Sequence, residues 1–386
     1  MNNIITRPTW VEINLDNLKN NIEEVRRVTG KRKIITAVVK ADAYGHGALG
    51  VIDTLLNNGA DRLAVATINE ALEIRKKYKD VEIMILGYTP DEFIEDIINN
   101  NIIQTIYNVE QAEVFNHFAE KLDVKVKVHI KVDTGMRRLG FDWENIDDIA
   151  SLFDLENIIY EGIFTHFAVA DEEDKSYTIK QYNRFNQVVK ELEQREIKIP
   201  IKHVSNSAAI IDLPEFSYDM VRAGIMLYGL YPSNEVGRDH VSLKPVMTFK
   251  TRIAYVKNVE KNEGISYGLI YKTDKKKKIA TLPVGYADGY SRMLTGKTEV
   301  LVGPNRKKVV GKICMDQMMI DLGNAKSQVG DEVILFGGNK KNVLPIEEIA
   351  NLLGTINYEI VCMISRRVPR VYLENGQIVN VVDNLY

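Results

Sequence analysis

The sequence predicts an α/β chain, a (β/α)8 barrel followed by a mainly antiparallel β domain. Three observations predict it. Short apolar runs rich in β-branched residues alternate with helical patterns through the first two thirds of the 386 residues. Eight such runs can be counted before the alternation ends. From about Pro245 onward, strand-like runs follow one another closely, with turn residues between them. The chain is also too long for one ordinary core, so two domains are expected, 1–244 and 245–386.

The barrel candidates are 34–40, 62–67, 82–87, 102–106, 125–133, 160–167, 199–205 and 219–228. Helical stretches at 69–78, 91–99, 109–120 and 175–196 lie between them. A doubly wound sheet would show the same alternation, and the count of eight favours the barrel. In the second domain the strand runs are 248–256, 278–283, 298–302, 308–313, 332–336 and 370–373. Asn262-Glu263-Gly264, Gly303-Pro304-Asn305 and Gly337-Gly338 break them, and one helix interrupts at 345–353.

Composition narrows the function classes. Hydrophobic residues make up 45% and charged residues 27%, with a net charge of -3. That is a soluble globular balance and gives no reason to expect nucleic acid or a membrane surface. The four lysines at 275–278 read as a solvated turn. Two cysteines, Cys314 and Cys362, cannot make a disulfide framework, so a reducing cytoplasmic setting is expected. Residues 1–15 carry no apolar leader, and no later run approaches membrane-spanning length. No metal is expected.

The unusual polar residues fall where a barrel does chemistry, at the C-terminal ends of its strands. Lys40 ends the first strand and enters Lys40-Ala41-Asp42-Ala43-Tyr44-Gly45-His46-Gly47. A buried lysine is costly as a cation, so its pKa falls and it becomes a nucleophile or base. Lys131 lies near the end of the fifth strand, and Arg138 follows in the next loop. Across 125–132, valine and isoleucine occupy one parity and Lys or His the other, which points Lys131 into the barrel. His166 ends the sixth strand; His203, Asn206 and Ser207 end the seventh; Arg222 and Gly224 belong to the eighth. Taken singly, His166 and Arg222 are ordinary satisfied core residues. The loops after strands seven and eight commonly bind phosphate in this fold, and here they offer a hydroxyl and exposed N–H groups. A strand-end lysine, a phosphate cradle and an arginine together describe pyridoxal phosphate.

The motifs, in this order along nearly the whole chain, closely resemble the alanine racemases. They are Pro8-Thr9-Trp10-Val11-Glu12-Ile13, the lysine octapeptide, and Arg222-Ala223-Gly224-Ile225-Met226-Leu227-Tyr228-Gly229. Gly264-Ile265-Ser266-Tyr267-Gly268, Gly285-Tyr286-Ala287-Asp288-Gly289, Cys314-Met315-Asp316-Gln317 and Ile356-Asn357-Tyr358-Glu359 follow. The resemblance implies a pyridoxal 5'-phosphate enzyme interconverting L- and D-alanine, with D-alanine destined for peptidoglycan. It implies that Lys40 carries the cofactor and is one catalytic base, with Tyr267 the opposite base. It assigns Tyr44, Ser207, Gly224, Ile225 and Tyr358 to the phosphate side (where the loop after strand seven also offers Asn206), Arg222 to the pyridine nitrogen, and Arg138 to the phenolic oxygen. His166 would link Arg222 to Tyr267, and Met315, Asp316, Tyr286 and Arg138 would face the substrate. It further implies a carbamylated Lys131 bracing Arg138, and a head-to-tail homodimer in which Tyr267 comes from the partner chain. A racemase of serine or another small amino acid, a barrel decarboxylase with the same cofactor, and a non-catalytic cofactor carrier are the rivals. The decarboxylase has no need of the tyrosine or of an arginine at the pyridine, and the carrier has no need of the β domain.

Overall fold

The computed structural model describes residues 7–339 and 341–385. Residues 1–6, part of the stretch 1–15 expected to carry no apolar leader, lie outside them. Strand β1 (Thr9–Asn14) opens the described chain. The barrel strands are β2 (Ile34–Val38), β3 (Arg62–Val65), β4 (Ile83–Ile85), β5 (Ile103–Ile106) and β6 (Val126–Asp133). A short β7 (Phe141–Asp142) pairs on β6, and β8 (Ile158–Phe164), β9 (Ile201–His203) and β10 (Met220–Ala223) complete the set. They run parallel in the order β10-β2-β3-β4-β5-β6-β8-β9. At the remaining seam, Asp219 N–H donates to Lys202 O and Arg222 N–H to Ser205 O, each at 3.0 Å. The sheet is therefore a near-closed barrel, as the count of eight predicts.

The eighth strand is shorter than its apolar run. It stops at Ala223, and Gly224 (φ -114°, ψ -111°) turns the chain into a 3-10 turn, Ile225–Tyr228, whose side chains are all buried. Burial without strand pairing explains why 219–228 reads as one run. The helix Leu15–Thr29 was not expected, although Leu15, Leu18, Ile22 and Val25 make one buried stripe at helical spacing.

The second unit contains β11 (Met247–Arg252), β12 (Tyr255–Val259), β13 (Gly264–Ile265), β14 (Tyr271–Lys272), β15 (Lys277–Leu282) and β16 (Glu299–Val302). It continues with β17 (Asn305–Val310), β18 (Met318–Asp321), β19 (Glu332–Asn339), β20 (Asn342–Leu344), β21 (Arg370–Glu374) and β22 (Gln377–Val382). Its main sheet runs β12-β15-β18-β17-β16-β19-β11-β1-β21-β22. All of these pairings are antiparallel except that between β1 and β21. The units differ from the expected 1–244 and 245–386. The barrel unit is Leu18–Ala43 with Val51–Lys244, and residues 7–17 and 44–50 group with 245–385. The cause is hydrogen bonding: β1 pairs with β11 on one edge and β21 on the other, while Trp10, Val11 and Ile13 are buried. The lysine run is only partly a turn. Lys277 opens β15 and its Nζ lies 2.8 Å from Asp321 and 3.1 Å from Asp274.

The octapeptide after β2 has an uncommon backbone. Ala41, Asp42, Ala43 and Tyr44 have φ of 53°, 52°, 54° and 53°, a left-handed turn of four non-glycine residues. Each such residue costs about 1–2 kcal/mol, so the surroundings must hold the turn. In the barrel unit, Ala43 N–H donates to Val39 O at 2.9 Å and Ala41 N–H to Glu70 Oε1 at 2.6 Å. In the β unit, Gly45 O accepts from Arg370 Nε and Nη2, each at 3.2 Å, and Tyr372 Oη donates to His46 O at 3.1 Å. Gly45 has φ 79°, and a Cβ there would lie 2.3 Å from Val361 O. Gly45→Ala is therefore expected to lower stability by at least about 2 kcal/mol, through strain and the clash together. Denaturant midpoints of the two proteins measure it, and coincident midpoints would show that the turn is not held as described.

Candidate active site

Arg222, from β10, is 4% exposed, and its guanidinium is satisfied by neutral acceptors. Nη1 donates to His203 Nδ1 at 2.7 Å and to His203 O at 3.2 Å. Nη2 donates to Thr165 O at 2.8 Å and Val204 O at 3.1 Å, and lies 3.4 Å from His166 Nδ1. Burial, then the charge of Arg138, lowers its pKa from the usual arginine value. His166 and His203 are both held well below the ordinary histidine value, first by burial and then by Arg222, so both imidazoles are neutral at physiological pH.

Lys131, in β6, is 5% exposed, and its Cα pairs with that of Phe164 in β8. Its Nζ stands 5.7 Å from the centre of the Phe164 ring, and Arg222 Cζ stands 5.2 Å from the same ring. Burial pushes Lys131 down to about 8; Arg138, Arg222 and Lys40 push the same way, and Asp133 opposes them. Among the described residues Lys131 Nζ makes no hydrogen bond or ion pair. Lys40, Lys131, Arg138 and Arg222 thus load one end of the barrel with positive charge.

The loops after β9 and β10 meet at Ser207. Its Oγ accepts from Gly224 N–H at 3.0 Å and Met226 N–H at 3.5 Å. Asn206 Oδ1 caps the helix Ser207–Asp212 by accepting from Ala209 N–H at 3.0 Å. Ser207 and Ile225 each open a helical turn, so their N–H groups have no acceptor within it. Ser207, Gly224 and Ile225 are buried.

The β unit carries the remaining expected residues. Tyr44 is 8% exposed, and its ring centre lies 6.2 Å from that of Tyr358. Burial and the nearby Cys362 raise the Tyr44 hydroxyl well above its ordinary value, so it is a donor at neutral pH. Tyr267 is 71% exposed on the 3-10 turn Tyr267–Leu269. Ser266 Oγ fixes the base of that turn by donating to Lys312 O at 2.6 Å. Tyr267, Met315 and Asp316 line one groove of about 920 Å3. Asp316 is held by Arg367 at 2.5 Å, and Arg367 also reaches the buried Asp288 at 2.7 Å. Tyr286 is exposed at the start of the turn Tyr286–Asp288. Cys314 is half-buried, with Sγ 3.5 Å from Ser266 Oγ.

Sequence profiles for the alanine racemase N-terminal and C-terminal domains match residues 13–232 and 246–372. The chain belongs to the alanine racemase family. It is 53% identical over 379 residues to an alanine racemase of Clostridium tetani, covering 97% of this chain and 98% of the relative. It is 51% identical over 383 residues to one of Clostridium perfringens, covering 98% and 99%. A solved alanine racemase of Clostridium difficile superposes with a TM-score of 0.95 at 48% identity, covering 99% of this chain and 100% of that one. An alanine racemase of Bacillus anthracis with bound L-Ala-P superposes at 0.92 with 36% identity, covering 99% of both chains.

Sequence reasoning passed over Glu161, Phe164 and the partners of His129. Glu161 is a carboxylate within an otherwise apolar strand, and that is the signal that would have found it. Its Oε2 lies 2.7 Å from Arg62 Nη1 and 2.8 Å from His129 Nε2. Burial opposes ionisation, yet His129 and Arg62 together hold the carboxyl down to about 2, below the ordinary glutamate range. A depressed carboxyl stabilises the fold above its unfolded value, and that stability is lost as pH falls through the folded one. Wild type should therefore exceed Glu161→Gln in stability by about 3 kcal/mol at pH 7, taking about 1.36 kcal/mol for each tenfold change in acidity. The gap should narrow from about pH 4.5 towards pH 2. Denaturant unfolding at stepped pH measures it, and a gap that does not change with pH would contradict the assignment.

Proposed function

We propose that this chain interconverts L-alanine and D-alanine with pyridoxal 5'-phosphate as cofactor, supplying D-alanine for peptidoglycan in the cytoplasm. The observation that carries the reading is the charge at the barrel mouth. Beyond burial, Arg138, Arg222 and Lys40 disfavour the charge of Lys131, and Arg138 that of Arg222, and an anionic cofactor relieves that cost. The donors fit its phosphate. The Ser207 and Ile225 amides and the protonated Tyr44 hydroxyl offer hydrogen bonds to an anion, with Asn206, Gly224 and Tyr358 beside them in the sequence motifs.

When bound, the cofactor supplies an electron sink that acidifies the amino acid's Cα–H. The chain's own residues then decide the outcome. Lys40 would hold the cofactor covalently at rest and, its amine freed once the substrate's amine takes its place, would move a proton at one face of Cα. Tyr267 does the same at the other face, so configuration inverts without the substrate turning over. Arg222 stays charged, and a cation at the ring nitrogen would disfavour a proton there, which would weaken the sink and suppress transamination. His166, neutral beside Arg222, is the link the family resemblance assigns between Arg222 and Tyr267. Met315, Asp316, Tyr286 and Arg138 bound the substrate.

We infer a head-to-tail homodimer in which each Tyr267 serves the partner's Lys40. Tyr267, Leu269 and Ile270 are 71%, 56% and 56% exposed, an apolar surface suited to a second copy. Such a contact closes after two subunits. Lys131 suits carbamylation, because about 8 leaves a neutral amine fraction for CO2. The resulting anion would pair with Arg138.

Loss of optical rotation on L-alanine, compared with L-serine, tests the activity; absence of loss on L-alanine would reject the reading. Borohydride reduction and peptide mapping should place the cofactor adduct on Lys40, and an adduct on another lysine would refute that role. Lys40→Ala and Tyr267→Ala should each be inactive, and mixing them should restore activity after subunit exchange. Inactivity despite demonstrated exchange would count against shared sites.

A further inference from the structure

Arg222 also ends a buried row of side chains that runs across the barrel. His203 Nδ1 accepts from Arg222 Nη1 at 2.7 Å, His203 Nε2 lies 2.8 Å from His129 Nδ1, and His129 Nε2 lies 2.8 Å from Glu161 Oε2. The proton positions follow by elimination. A guanidinium only donates, so His203 Nδ1 accepts, and in a neutral ring its hydrogen sits on Nε2. His129 Nδ1 must then accept, which leaves His129 Nε2–H to donate to the carboxylate. Both rings are fully buried, and burial is the first cause holding both below the ordinary histidine value. One arrangement remains: a cation, two neutral Nε2–H imidazoles and an anion.

The backbone is shaped for this row. Val128 pairs with Tyr160 and His129 with Gly162, so Glu161 is the extra residue of a bulge in β8. Bulges re-aim a side chain that regular pairing would point elsewhere. At Gly162, a Cβ would lie 2.4 Å from His129 Nδ1 and Cε1, so only glycine leaves room for the imidazole. Phe164 stacks on His203, with ring centres 4.6 Å apart and planes 8° apart.

We propose that Glu161 is a positioning residue for racemisation, acting through His129 and His203 to fix Arg222 from within the barrel. The proposal rests on the reading of Arg222 as the residue facing the cofactor ring. Arg62 binds the same carboxylate oxygen but lies outside the row, which makes it the control.

Nitrogen NMR of histidine-labelled holoenzyme reads the row without turnover. His129 and His203 should both be neutral Nε2–H rings; an Nδ1–H ring or an imidazolium at either position overturns the proposal. In the racemisation assay, Glu161→Gln should lower kcat by about tenfold with KM changed by less than about twofold. Arg62→Met should change both by less than about twofold. An unchanged kcat in Glu161→Gln, or equal losses in both variants, overturns the proposal as well. If Glu161→Gln does not fold, the wild-type spectrum decides. A wild type that does not racemise alanine would refute the functional reading instead, and the ring tautomers would still test the row.

Discussion

A cation buried without a carboxylate beside it is the constraint on which the barrel's chemistry depends. Among the described residues, Arg222 donates to two imidazole nitrogens, three backbone carbonyls and no acid. Neutral acceptors satisfy its hydrogen bonds and leave its charge in place. Burial first, and the charge of Arg222 after it, holds two histidines well below their ordinary value; burial, then Arg138 and Arg222, brings Lys131 down to about 8. A carboxylate at the same distance would quench this field and favour protonation of any ring nitrogen in front of it. The fold therefore exports positive charge to the strand ends, where the proposed phosphorylated cofactor would relieve it.

Strain is the second device. Lys40 is followed at once by four left-handed residues, a conformation that local preference opposes. Capping by Glu70, two glycines, and the buried Arg370 and Tyr372 overrule that preference. Such strain persists only where surrounding contacts over-determine the backbone, and the proposed role of Lys40, which would have to be held in one direction, is a reason to keep it.

Much of this was legible in sequence, because it rests on periodicity and on strand ends. The eight barrel strands each show as an apolar run, and the parity of β6 marks Lys131. The units were less legible. Strand β1 reads like any other β-branched run, and only its pairing with β11 and β21 assigns it to the second sheet. The row from Arg222 to Glu161 was hidden for a similar reason. His129, His203 and Glu161 come from three strands, and a bulge changes which face Glu161 presents. Alternation cannot foresee a bulge. The left-handed turn is equally silent, since Ala41, Asp42 and Ala43 carry no signal for positive φ; only Gly45 and Gly47 do.

The most direct test of the charge argument compares two ligands that differ by one phosphate. Protein stripped of cofactor is titrated with pyridoxal phosphate and with pyridoxal, and thermal unfolding is followed at low and at high salt. The account predicts a large rise in midpoint with pyridoxal phosphate that shrinks as salt increases, and little rise with pyridoxal. Equal stabilisation by the two ligands, or a rise indifferent to salt, would contradict it.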